Sequence, residues 1–96
     1  MNFTDKQNAM LKETDRFHMG KVRDKCREEL AELFDELNNE LFDWGRATDE
    51  IADVLIMIER MLLSPRRRSV VEKKITAKLE RTKERIDSGY YGRTDK

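Results

Sequence analysis

Cysteine and proline each occur once in the 96 residues, at Cys26 and Pro65, and glycine only four times. A lone cysteine excludes a disulfide within the chain and suits a reducing compartment. So few breakers leave room for long helices. The strand signature is missing as well, because no run alternates Val, Ile, Thr or aromatic residues with polar ones between turns. No apolar stretch approaches the ~20 residues that a membrane span needs; the best, residues 54–58, is bounded by Asp53 and Glu59. The first residues, with Asp5 and polar neighbours, lack the apolar region of a signal peptide. Net charge is absent too. Twenty Lys and Arg balance twenty Asp and Glu, so no global field draws the chain toward nucleic acid or anionic lipid. These absences lead to the expectation of a cytoplasmic protein with neither nucleic acid nor membrane as partner.

What is present is charge and helical periodicity. Charged residues make up 42% of the chain and hydrophobic ones 38%, a balance that suits thin amphipathic helices rather than one thick core. A single domain over residues 1–96 buries only roughly two-thirds of its unfolded surface, so an all-α, four-helix bundle completed by homo-oligomerisation is expected. Thr4 followed by Gln7 fits a capping box, which predicts a first helix over residues 5–17, ending near Gly20. The second helix is expected over residues 21–44, with Gly45 as a left-handed stop. Val22, Cys26, Leu30, Leu33, Leu37 and Leu41 lay one apolar stripe along it, directed at a partner helix. A third is expected over residues 48–63, with Thr48 as N-cap and Asp49 and Glu50 in its first turn. Its apolar residues, from Ile51 to Leu62, nearly surround it and predict burial on more than one side. Ser64 and Pro65 stop that helix and start a fourth, which ends near Ser88 and Gly89 and carries Val71, Ile75, Leu79, Thr82 and Ile86 on its inner face. The tail, residues 90–96, is expected to be mobile.

Chemistry is concentrated in the acids. With 3.6 residues per turn, Glu29, Glu32, Glu36 and Glu40 fall in one stripe at the edge of the leucine face. Glu50 and Asp53 repeat the i,i+3 spacing on the third helix, where Asp53, just before the most apolar run, is expected to be partly buried. An antiparallel hairpin of the two helices lets both pairs converge. Like charges that converge repel unless a cation sits among them, and hard divalent ions take such oxygen ligands. A solvated or ion-paired helix face has the same spacing, so the pattern alone leaves both readings open.

The two half-motifs carry a resemblance. Glu28-Glu29-Leu30-Ala31-Glu32-Leu33 and then Glu50-Ile51-Ala52-Asp53-Val54-Leu55-Ile56-Met57, with seventeen residues separating Glu32 from Glu50, resemble the Glu-x-x-Glu and Glu-x-x-Asp marks of the all-α nucleoside triphosphate pyrophosphohydrolases, MazG and the dimeric dUTPases. The likeness covers residues 21–63. It implies a MazG-like helical bundle that forms dimers or tetramers, with helices from two chains building each site. It also implies Mg2+, or Mn2+ in its place, held by Glu29, Glu32, Glu50 and Asp53, which together serve as the catalytic set. The implied reaction cleaves a nucleoside triphosphate between its α and β phosphates, releasing the monophosphate and pyrophosphate. Glu28 and Glu36 fall outside the motif.

On the fourth helix Lys74, Lys78, Arg81 and Arg85 recur at spacings of four, three and four beside the apolar face. They suit phosphate oxygens, and the same family places basic side chains from a later helix near the triphosphate; a solvated basic face is the alternative. Trp44, Tyr90 and Tyr91 are candidates for stacking on a base, though a core edge or interface is their commoner use. His18 reads as a surface residue, Cys26 as a small core hydrophobe, and Arg66, Arg67 and Arg68 as facing solvent or phosphate rather than nucleic acid. Two other functions remain in view: a phosphoribosyl-ATP pyrophosphohydrolase, disfavoured by the missing Ser-Tyr-Thr segment before the first motif, and a non-catalytic helical oligomerisation module.

Overall fold

A computed structural model of the chain describes residues 3–17 and 21–89, and every described element is helical. The order is α1 (Asp5–Phe17), α2 (Val22–Leu37), α3 (Trp44–Met61) and α4 (Pro65–Asp87). His18, Gly20, Tyr90, Tyr91 and the rest of the expected mobile tail lie outside the described residues. Contacts divide the chain into two compact units, one up to Leu63 and one from Ser64 onward.

Local chemistry sets the helix starts. At α1 the capping box forms in both directions: the Thr4 N–H donates to Gln7 Oε1 at 2.8 Å, and the Gln7 N–H to Thr4 Oγ1 at 3.0 Å. Ser64 caps α4, its hydroxyl accepting from the Arg67 N–H at 3.3 Å, with Pro65 in the first turn. Beyond the C-cap Ser88, Gly89 takes φ 77°, the left-handed turn that glycine permits.

The α2 to α3 junction corrects the sequence reading. Helix α2 stops at Leu37, seven residues before the expected end at Trp44, because Asn38 and Asn39 offer the backbone other partners. Asn38 Nδ2 donates to the Phe34 carbonyl at 2.8 Å, and Asn39 Oδ1 accepts from the Leu41 N–H at 2.8 Å. Glu40 is therefore off the helix and leaves the acidic stripe. Gly45 is no left-handed stop but lies inside α3, its N–H donating to Asp43 Oδ1 at 2.9 Å. Asp43, not Thr48, is the N-cap. Thr48 turns its hydroxyl to the Gly45 carbonyl at 2.9 Å, and Asp49 and Glu50 fall beyond the first turn. Arg46 fastens the loop, reaching Glu36 Oε1 at 3.1 Å, the Leu41 carbonyl at 2.6 Å and Asp43 Oδ2 at 3.5 Å.

Helix α3 is the centre of the first unit and packs on both α2 and α1, as its wide apolar girdle predicts. Ala47, Val54 and Met57 are buried. Against α1, the Arg60 side chain, 2% exposed, donates from Nε to Asp15 Oδ1 at 3.1 Å, while Leu11 packs into the same junction. The seam with α2 is rotated from the expected leucine stripe. Cys26 is buried as read, but Leu30, Leu37 and Leu41 are exposed, and the residues turned inward are Cys26, Glu29, Leu33 and Glu36. Acids thus occupy seam positions, and the leucines stand uncovered beside them with Phe34, which is 65% exposed.

The unit from Ser64 contains α4, which has no buried residue. The expected inner face is largely exposed among the described residues: Ile75, Leu79 and Ile86 are exposed, Thr82 returns its hydroxyl to the Lys78 carbonyl, and Val71 is half-buried.

Candidate metal centre

Because the α2 seam runs through positions 26, 29, 33 and 36, Glu29 projects between two helices rather than into water, and it is only 7% exposed. Glu50, one turn after the buried Ala47 on α3, faces it and is half-buried. Glu36 meets Arg46 near the turn, while Glu29 and Glu32 meet Glu50 and Asp53 farther from it. That order is the antiparallel hairpin that convergence requires. One carboxylate oxygen each from Glu29, Glu32, Glu50 and Asp53 lies within 4.8 Å of the others. The sequence motif and the three-dimensional cluster therefore name the same four residues.

The four are not equivalent. Glu29 and Glu50 form the floor, and Glu29 Oε2 and Glu50 Oε2 are buried with no hydrogen-bond partner among the described residues. A buried acceptor left unsatisfied costs about 1–3 kcal/mol, more if charged, so the floor has coordination capacity to spare. Glu32 and Asp53 are exposed, which corrects the expectation that Asp53 is partly buried: it sits one position before the inward-facing Val54, and the helix turns it to the rim.

The four carboxylates could hold a divalent ion. Opposed oxygens around an ion with bonds of ~2.1 Å stand about 4.2 Å apart, so a span of 4.8 Å needs only a small contraction to become one coordination shell. Carboxylate oxygen without nitrogen or sulfur is the donor set of a hard cation.

Lys25 is the functional candidate that sequence reading missed. Its ammonium lies 3.3 Å from Glu29 Oε1 and 3.7 Å from Glu28 Oε2. The hydrogen bond to Glu29, then the charges of Glu28 and Glu29, push its pKa above the ordinary lysine value. The available signal was a lysine four residues before the first motif glutamate, on the same helix face. Lys74, Lys78, Arg81 and Arg85 are exposed on α4, in the other unit. Arg66 and Arg67 are exposed at the start of that helix. Trp44 is exposed at the start of α3, edge-on to Phe42 with ring centres 4.9 Å apart.

No protein-family model, curated protein or solved structure matches this chain. The chemistry of the site therefore rests on its own residues.

Proposed function

We propose that the chain is a divalent-cation-dependent nucleotide pyrophosphohydrolase of the MazG-like kind, acting on nucleoside or deoxynucleoside triphosphates as a homo-oligomer in the cytoplasm. The observation that carries the reading is the pair of buried, unpartnered oxygens on Glu29 and Glu50 at the floor of a four-carboxylate cluster. Glu29, Glu32, Glu50 and Asp53 hold Mg2+, or Mn2+ in its place. Such an ion, when bound, offsets charge on phosphate oxygens and lowers the pKa of water. The chain's own residues orient the rest. Glu29 and Glu50, gripped by the helix seam, fix the depth at which the polyphosphate docks, and Glu32 or Asp53, open to solvent, accepts the proton that the attacking water loses. The water oxygen bonds to the α-phosphorus, the bond to the bridging oxygen breaks, and pyrophosphate leaves with that oxygen. Lys74, Lys78, Arg81 and Arg85 serve as phosphate ligands in the assembled protein.

Homo-oligomerisation is supported by apolar faces uncovered within one chain, Leu30, Phe34 and Leu37 on α2 and Ile75, Leu79 and Ile86 on α4. The same faces favour a second reading, a helical assembly module without catalysis in which the acids pair with Lys and Arg across an interface. The deciding experiment is a pyrophosphate-release screen across canonical, deoxy and modified triphosphates, and phosphoribosyl-ATP, with Mg2+ or Mn2+. Release should fall at least roughly a hundredfold in Glu50→Ala and Asp53→Ala while circular dichroism keeps the helical signal. No release from any substrate, with no calorimetric Mn2+ binding, leaves the assembly module.

A further inference from the structure

The carboxylates of the cluster already have one cation beside them, and it belongs to the protein. Lys25 approaches Glu29 from the preceding turn of α2 with its side chain 53% exposed, so it is held by the pair yet free to swing into solvent. Only Glu29 Oε1 is engaged; Oε2 is the buried oxygen with no partner. Lys21, Lys25, Glu29 and Glu32 follow one another along one face at spacings of four, four and three. That face has two ammonium groups first and two carboxylates next, with Lys25 about 6 Å and Lys21 about 12 Å before Glu29 along the axis. Lys21 and Lys25 also line an open depression with Asp24, Arg27 and Glu28, immediately before the carboxylates on the same helix. A polyanion reaching the cluster from this side meets Lys25 first.

We propose that Lys25 is an exchangeable counter-cation: it pairs with Glu29 in the metal-free protein and transfers to a phosphate oxygen of the substrate when a divalent ion takes the carboxylates. This deepens the metal-centre reading and rests on it. The exchange conserves charge pairing. Glu29 trades an ammonium for a divalent ion, and the ammonium trades a carboxylate for a phosphate, so no cation in the site is left facing another. The lysine end of the pair is open to solvent, 53% exposed against 9% for Glu29, so the ammonium can leave without disturbing the seam, and a polyphosphate offers it more acceptor charge than one carboxylate.

The consequence is a pair of opposite effects from one substitution, measured by binding and not by turnover. In Lys25→Gln the competing cation is gone, so Mn2+ alone should bind about two- to five-fold tighter by calorimetry. Inorganic tripolyphosphate at saturating Mg2+ should bind roughly ten-fold weaker. Lys25→Arg, which restores the charge, should move both values back toward wild type. A variant with unchanged or weaker Mn2+ affinity overturns the exchange, and unchanged tripolyphosphate affinity overturns the phosphate contact. If the wild-type protein binds no Mn2+, the metal centre itself fails and this proposal with it. That result is distinct from a wild type and a Lys25→Gln variant that bind Mn2+ equally, which removes only the role of Lys25.

Discussion

The two units of this chain use helices in contrasting ways. Residues 1–63 hold nine Lys and Arg against fifteen Asp and Glu, and residues 64–96 hold eleven against five, so a chain neutral as a whole is an acidic piece joined to a basic one. The acidic piece makes its own core, with α3 between α1 and α2, and places two glutamates in a helix seam where leucine would stabilise more. The basic piece has a well-capped helix of 23 residues, none of them buried. Capping and propensity define a helix but leave it marginal in water, since most helical stability comes from packing an apolar face. Putting acids in a seam costs stability that a leucine there would add. The exposed Ile75, Leu79 and Ile86 of α4 offer an apolar face to another surface.

The contrast is testable by substitution. Ala47, on α3, has no exposed surface, so Ala47→Leu should destabilise the acidic unit by about 1–3 kcal/mol through overpacking, read by urea denaturation. Asp15→Asn removes the carboxylate charge that faces the buried Arg60. Because Asp15 is itself 37% exposed, the loss should be about 1–2 kcal/mol, smaller than for a fully enclosed pair. Leu79→Ser, on the exposed face of α4, should change stability by under about 0.5 kcal/mol in dilute protein. At high concentration the same substitution should lower thermal stability and the oligomer population seen by analytical ultracentrifugation. Equal behaviour at both concentrations would show that association does not cover α4 there.

Several features were decided by residues near in sequence. Thr4 and Gln7 close the capping box, Ser64 and Pro65 divide α3 from α4, and Gly89 follows the end of α4, because each depends on atoms only a few positions apart. The i,i+3 pairs Glu29 with Glu32 and Glu50 with Asp53 were legible for the same reason: helical periodicity puts them on shared faces whatever the surroundings. Their convergence needed only a short hairpin. Local signals also misled where two competed. Asp43 and Thr48 are both acceptable N-caps, Asn38 and Gly45 both acceptable stops, and the Arg46 clamp that links Glu36, Leu41 and Asp43 is invisible until the loop is folded.

Tertiary structure alone decided which side of α2 turns inward. A stripe of leucines and a stripe of glutamates lie side by side on that helix, and hydrophobicity read along the chain favours burying the leucines. The hairpin instead turns Glu29 and Glu36 toward α3 and leaves Leu30, Phe34 and Leu37 outside, because a helix's rotation about its axis is set by the surface it packs against. That rotation gives Glu29 and Glu50 their buried, unpartnered oxygens and Lys25 its place beside them. Residue order by itself determined four helices and two acidic pairs; the packing of α2 on α3 brought those acids into one cluster.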